Sequence, residues 1–84
     1  MNYPESITEE EIRAILDDSE ITYEKKGKKT TVAHAILPNG FEVTAYSGVN
    51  NPDRYDLEIG KYIAHDKLVS KVWELESYHR HSTN

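Results

Sequence analysis

Few groups in this 84-residue chain could do chemistry: four histidines, Ser47, and a carboxylate cluster at Asp53, Asp56 and Glu58. His79 and His81 stand two residues apart and could hold a metal weakly. No carboxylate or cysteine spacing completes a ligand set around them. The acidic cluster lacks the alternating ligands of a calcium loop, and helix capping accounts for Asp56 and Glu58 without a cation. Ser47 with His34 and a carboxylate would make a hydrolase only with a nucleophile elbow and a glycine-rich oxyanion loop, and the chain has neither. There is no Gly-x-x-x-x-Gly-Lys phosphate loop. His34, between Val32 and Ile36, is expected to be partly buried and hydrogen-bonded to a neighbour, with a pH-sensing or ligand-binding role as the sharper alternative. His65, beside Asp66, is expected to be solvated. The residues therefore predict no metal, no cofactor and no enzymatic activity.

The bulk composition narrows the classes further. The chain has no cysteine, so disulfides, thiolate zinc sites and cysteine nucleophiles are all absent. Acidic residues outnumber basic ones by 15 to 10, a net charge of -5, which argues against a sequence-independent nucleic-acid binder and favours a basic partner. The start "MNYPESITEEE" has neither a basic segment nor an apolar run, so no signal peptide is expected. No stretch approaches the roughly 20 apolar residues of a membrane span, and a cytoplasmic protein is expected. One small domain over residues 1–78 is expected, with "HRHSTN" (79–84) as a disordered tail. A chain of this size buries only about 60–65% of its unfolded surface, so the core is thin and self-association would help it.

The elements that must position these groups are readable in order. "SITEEEIRAILDD" starts a short helix with Thr8 as N-cap, Glu11 completing a capping box, Ile7 and Ile12 as a staple, and an end near Asp18. "EITYEKKGKKTTVAHAILPNGFEVTAYSG" reads as three strands joined by a turn at Gly27 and a tight turn at Pro38-Asn39-Gly40. Val32, His34 and Ile36 share one face of the second strand, and Ala33, Ala35 and Leu37 the other. Phe41, Val43 and Ala45 share one face of the third strand. "SGVNNPDRYDLEIG" is the joint: Asn51 and Pro52 stop the strand, and Asp53 or Asp56 starts the next helix. "DLEIGKYIAHDKLVSKVWELESYHRH" is that long helix, with Gly60 in its first turn, where it would permit close approach of another chain segment or is simply tolerated. The expected fold is α+β: a short N-terminal helix, a three-stranded antiparallel meander, and a long C-terminal helix packed on the sheet.

Six tyrosines and one tryptophan are many for a thin core. Tyrosine and arginine are what binding surfaces enrich, so Tyr46, Asn50, Asn51, Asp53, Arg54 and Tyr55 around the joint form a candidate partner site. The bland alternative is that Trp73, Tyr62 and Tyr55 complete the core with their polar ends in water. Leu68, Val69, Val72 and Trp73 lie in an apolar arc wider than a three-stranded sheet needs, and are the candidate homodimer interface.

The second half of the chain resembles the gene-product 49/66-like family of small tailed-phage proteins. The resemblance is carried by "LPNGFEVTAYS" (37–47), "NPDRYDLEIGKYIA" (51–64) and "KVWELESYH" (71–79). The matching positions are Asn39-Gly40-Phe41, Val43, Ser47, Tyr55-Asp56, Glu58-x-Gly60, Ala64, Trp73-x-Leu75-Glu76 and Tyr78. Ala45-Tyr46 stands where the family tends to have Gly-Glu, and Ser77 where it tends to have Gly. Any role of that family glutamate would be missing here. The resemblance implies a phage or prophage protein made in a bacterial cytoplasm, and it supplies no catalytic residues.

Three functional readings follow. The first is a non-enzymatic accessory protein that binds a host or phage protein, with inhibition of a host defence nuclease complex as one form. The second is a small-ligand binder that holds a nucleotide, Tyr46 or Tyr55 stacking the base and the lysines of "KKGKK" meeting phosphates. DNA binding by that lysine hairpin is the weakest reading, because of the net charge.

Overall fold

The computed structural model of the chain describes residues 7–82. In order, the elements are α1 (Glu9–Asp17), β1 (Glu20–Lys26), β2 (Thr30–Ile36), β3 (Glu42–Gly48), a single 3-10 turn (Pro52–Arg54) and α2 (Leu57–Ser82). The strands form one antiparallel sheet in the order β1-β2-β3. This is the expected α+β arrangement, with α2 lying across β3 and β2. The N-terminal segment, residues 1–6, and residues 83–84 lie outside the described residues.

Local chemistry sets each boundary. The Thr8 hydroxyl accepts from the Glu11 N–H at 3.2 Å, and Glu9, Glu10 and Glu11 occupy the first turn, where the helix dipole favours negative charge. Gly27 and Gly40 take positive φ (70° and 91°), as their turns require. Asn39 keeps a negative φ and instead accepts the Phe41 N–H through Oδ1 at 3.0 Å. The Asp56 carboxylate caps α2, accepting from Glu58 N at 2.9 Å and Ile59 N at 3.3 Å. Nothing after Gly60 is a glycine or proline, so nothing stops α2, and it runs through Ser82. The expected disordered tail from His79 is therefore corrected to helix as far as Ser82.

Both helices sit on one face of the sheet. That face is built from small residues: Thr31, Ala33 and Ala35 of β2, with Val43, Ala45 and Ser47 of β3. Cross-strand pairing sets Thr31 beside Ser47, Ala33 beside Ala45, and Ala35 beside Val43. α2 answers with Ala64, Leu68, Val69 and Val72, and α1 with Ile12 and Leu16, all buried. Small residues on the sheet let the helix approach closely. Gly60 marks a point of close approach, since a Cβ built there would overlap the Thr31 hydroxyl. The sequence left open whether Gly60 was needed or merely tolerated, and the geometry requires it.

α1 explains why the apolar arc of α2 is wide. It packs against α2 and β1 of its own chain. Arg13 pins the seam from outside, pairing with Glu9 at 2.7 Å and reaching Asp66 on α2 at 3.8 Å. The Glu9 hydrogen bond raises the Arg13 pKa above its usual value. The other sheet face is uncovered and carries Thr22, Val32, His34, Ile36, Thr44 and Tyr46, all partly or largely exposed.

Candidate functional site

The strand register decides several candidate groupings at once. Antiparallel strands alternate their side chains between faces. Ser47 is buried on the helix-covered face, whereas His34 stands on the open face, paired across the strands with Thr44. The two cannot form a nucleophile–base pair. His34 Nε2 is instead 2.7 Å from Glu42 Oε1, the neighbour contact expected for a half-buried strand histidine.

The joint residues are similarly divided. Tyr46 is 65% exposed on the open face. Tyr55 reaches the other way, its hydroxyl 2.7 Å from Oγ1 of Thr31, which is fully buried (0% exposed). Lys25 lies over the Tyr55 ring at 4.7 Å from its centre, and Lys67 near the Tyr46 ring at 5.8 Å. Lys67 also donates to the Tyr46 carbonyl at 3.1 Å, which occupies part of the β3 edge. Asn51 spends its side chain accepting from Asp53 N at 3.0 Å, and Val49 N donates to Lys29 O at 3.0 Å. Asn50, Asp53 and Arg54 are exposed. The joint therefore works as a clamp that sets the entry angle of α2, and its two tyrosines do not share a face.

The candidate dimer residues need correction. Leu68, Val69 and Val72 are buried at 0–5% exposure by the chain's own sheet and α1. Trp73 is half-buried against the same core. None of the first three is available to a second copy. The large apolar residues that α2 does present outward in its first half are Leu57, Ile59, Tyr62 and Ile63, so Tyr62 does not complete the core.

A different region concentrates exposed apolar surface. The β2–β3 turn and the last turns of α2 enclose an open groove of about 480 Å³. The turn supplies Leu37, Pro38, Asn39 and Phe41, and α1 supplies Ile15 at the floor. α2 supplies Val72, Leu75, Glu76, Tyr78 and His79. Phe41 and Tyr78 are 54% and 76% exposed, unusual for aromatic side chains with a core beside them. Glu76 is half-buried, and its Oε1 is buried with no hydrogen-bond partner among the described residues. A volume in this range is that of a typical ligand or side-chain pocket. The arrangement can bind, by apolar contact and one carboxylate. It brings together no nucleophile, base and oxyanion donor.

Sequence reasoning quoted Phe41, Leu75, Glu76 and Tyr78 but did not place them together. The register brings the Asn39-Gly40-Phe41 turn to the end of α2, where Trp73-x-Leu75-Glu76 and Tyr78 lie, so two blocks more than thirty residues apart in sequence meet at one groove. The only available signal was an aromatic in a tight turn, a position that solvates whatever it carries.

Among the described residues, no group of three or more His, Asp or Glu side chains is gathered as a metal site would need. Among them, too, no helix is long and apolar enough to cross a membrane. The model of the phage protein (N4 Gp49/phage Sf6 gene 66) family matches residues 7–83. No curated protein and no solved structure matches the chain.

Proposed function

This chain belongs to that phage protein family, and we propose that it serves as an accessory protein that acts by binding another protein and catalyses nothing. The observation that supports this reading is the groove at the end of α2, where Phe41, Leu75 and Tyr78 hold apolar and aromatic surface in water. Exposed aromatic clusters around a pocket are what interface cores are made from. The net charge of -5 points to a basic partner. A host defence nuclease complex with a positively charged nucleic-acid channel is the partner class that suits this charge, with the bacterial cytoplasm as the place of encounter. Self-association, where it occurs, would use the outward stripe Ile59, Tyr62 and Ile63, since the other arc of α2 is filled.

The nucleotide reading has less to stand on. Lys25 already lies over the ring of Tyr55, whose hydroxyl is held by Thr31. Affinity capture of the tagged protein from host lysate, with and without nuclease, tests the choice. Protein binding gives one stoichiometric, nuclease-resistant partner and no saturable thermal stabilisation by nucleotides. Nucleotide-dependent stabilisation that saturates, with no partner captured, would overturn it.

A further inference from the structure

We propose that the groove between the β2–β3 turn and the end of α2 binds a partner segment that sets a large apolar side chain beside an arginine or lysine. The inference rests on the protein-binding reading and specifies its ligand.

The apolar half of this ligand follows from the groove walls. Leu75 is 38% exposed beside Phe41 and Tyr78, over a floor of Ile15, Leu37 and Val72. An inserted aliphatic or aromatic side chain would remove this surface from water.

The basic half follows from Glu76 and from the placement of charge. Glu76 lines the groove, and one of its carboxylate oxygens is buried without a donor among the described residues. A carboxylate half shut off from water carries an incompletely compensated charge, and a guanidinium or ammonium meeting Glu76 from the groove side offsets it. The surroundings reinforce that demand. The register sets Glu20 and Glu42 on either side of Ile36 at this end of the sheet, on its open face, where Glu42 already meets His34. Asp17 and Asp18 end α1 just before β1 begins. The lysines of the β1–β2 turn, Lys25, Lys26, Lys28 and Lys29, occupy the opposite end of the sheet. Lys71 and Arg80 stand in the same stretch of α2, so the carboxylates outnumber the basic residues at this end without excluding them, and the excess favours a segment that is apolar and positive.

Selection from a random-peptide library against the full chain tests the proposal. The enriched peptides should pair an aliphatic or aromatic residue with arginine or lysine. Their affinity should fall at least about tenfold for Leu75→Glu and for Tyr78→Ala, as for hot-spot residues. Replacing the basic residue by citrulline or norleucine should weaken binding about tenfold to the unmodified chain and little to Glu76→Gln, the signature of a direct charge-assisted contact. Circular dichroism melts of each variant show whether the fold is intact, and the part-exposed Tyr78→Ala covers the case in which Leu75→Glu unfolds. Enrichment of acidic peptides, of purely apolar peptides, or of none would overturn the proposal. So would self-association lost in Leu75→Glu, which would make a second copy the occupant. A captured protein partner indifferent to all three substitutions would leave the protein-binding reading standing and remove this one.

Discussion

The Tyr55 hydroxyl lies 2.7 Å from Oγ1 of Thr31, and Thr31 is fully buried beneath the first turn of α2. One hydrogen bond thus ties the joint to the middle strand where Gly60 presses on the same threonine. In the loop-rich run 47–56 this bond, the Asn51 turn and the Asp56 cap together hold the chain where it enters the long helix.

Tyr55→Phe removes one partner of this bond and strands the buried Thr31 hydroxyl. The expected loss is about 1 kcal/mol in urea unfolding, and Tyr55→Ala, which also loses the ring under Lys25, should cost more. Tyr46→Ala, on the exposed face, should stay within about 0.5 kcal/mol of the unmodified protein. Equal effects from Tyr46 and Tyr55 would refute the division of the two faces.

Gly60→Ala should destabilise, although alanine is the better helix former by about 1 kcal/mol. The added methyl meets Thr31, and overpacking of this kind costs about 1–3 kcal/mol. Pairing it with Thr31→Ala, which removes the hydroxyl that the new methyl would overlap, should recover part of the loss in a double-mutant cycle. A Gly60→Ala variant more stable than its parent would show that the helix and sheet are not in close contact there.

A charge at Val72 should abolish folding rather than release a monomer. Val72→Asp buries a carboxylate among Leu68, Ile12 and Leu16 and should cost more than about 3 kcal/mol, read by circular dichroism. Tyr62→Lys, on the outward stripe, should leave the melting temperature nearly unchanged. Its effect on sedimentation then tells whether that stripe holds a second copy.

The His34–Glu42 pair on the open face is exposed enough that it should contribute little. His34→Gln should change stability by less than about 0.5 kcal/mol. A large loss would mean that this face is covered in the native protein.

Much of this fold was legible because the local signals are strong and agree. The Thr8 and Asp56 caps, the glycine turns and the strand alternation each act over a few residues, and the helix, three-strand, helix order follows from them. The covered face of the sheet was less legible. Alternation sorted Val32, His34 and Ile36 onto one face and Ala33, Ala35 and Leu37 onto the other without saying which is covered, and the helices choose Ala33, Ala35 and Ala45, because a long helix seats closest on small side chains. The width of the α2 apolar arc suggested a second copy. α1 fills it instead, and only tertiary packing could say so. The groove was invisible for a related reason: Phe41 and Leu75 are far apart in sequence and become neighbours only when α2 lies back along the sheet. At the end of the chain, a polar composition suggested disorder, but no glycine or proline interrupts the helix, and it continues.

The most direct test of the central claim is methyl NMR of the full chain, alone and with its captured partner. The account predicts that the methyl signals of Ile15, Leu37 and Leu75 shift on binding while those of Val49 and Ile59 stay in place. Shifts confined to Val49 and Ile59, with the groove methyls unmoved, would contradict it and return the binding surface to the joint.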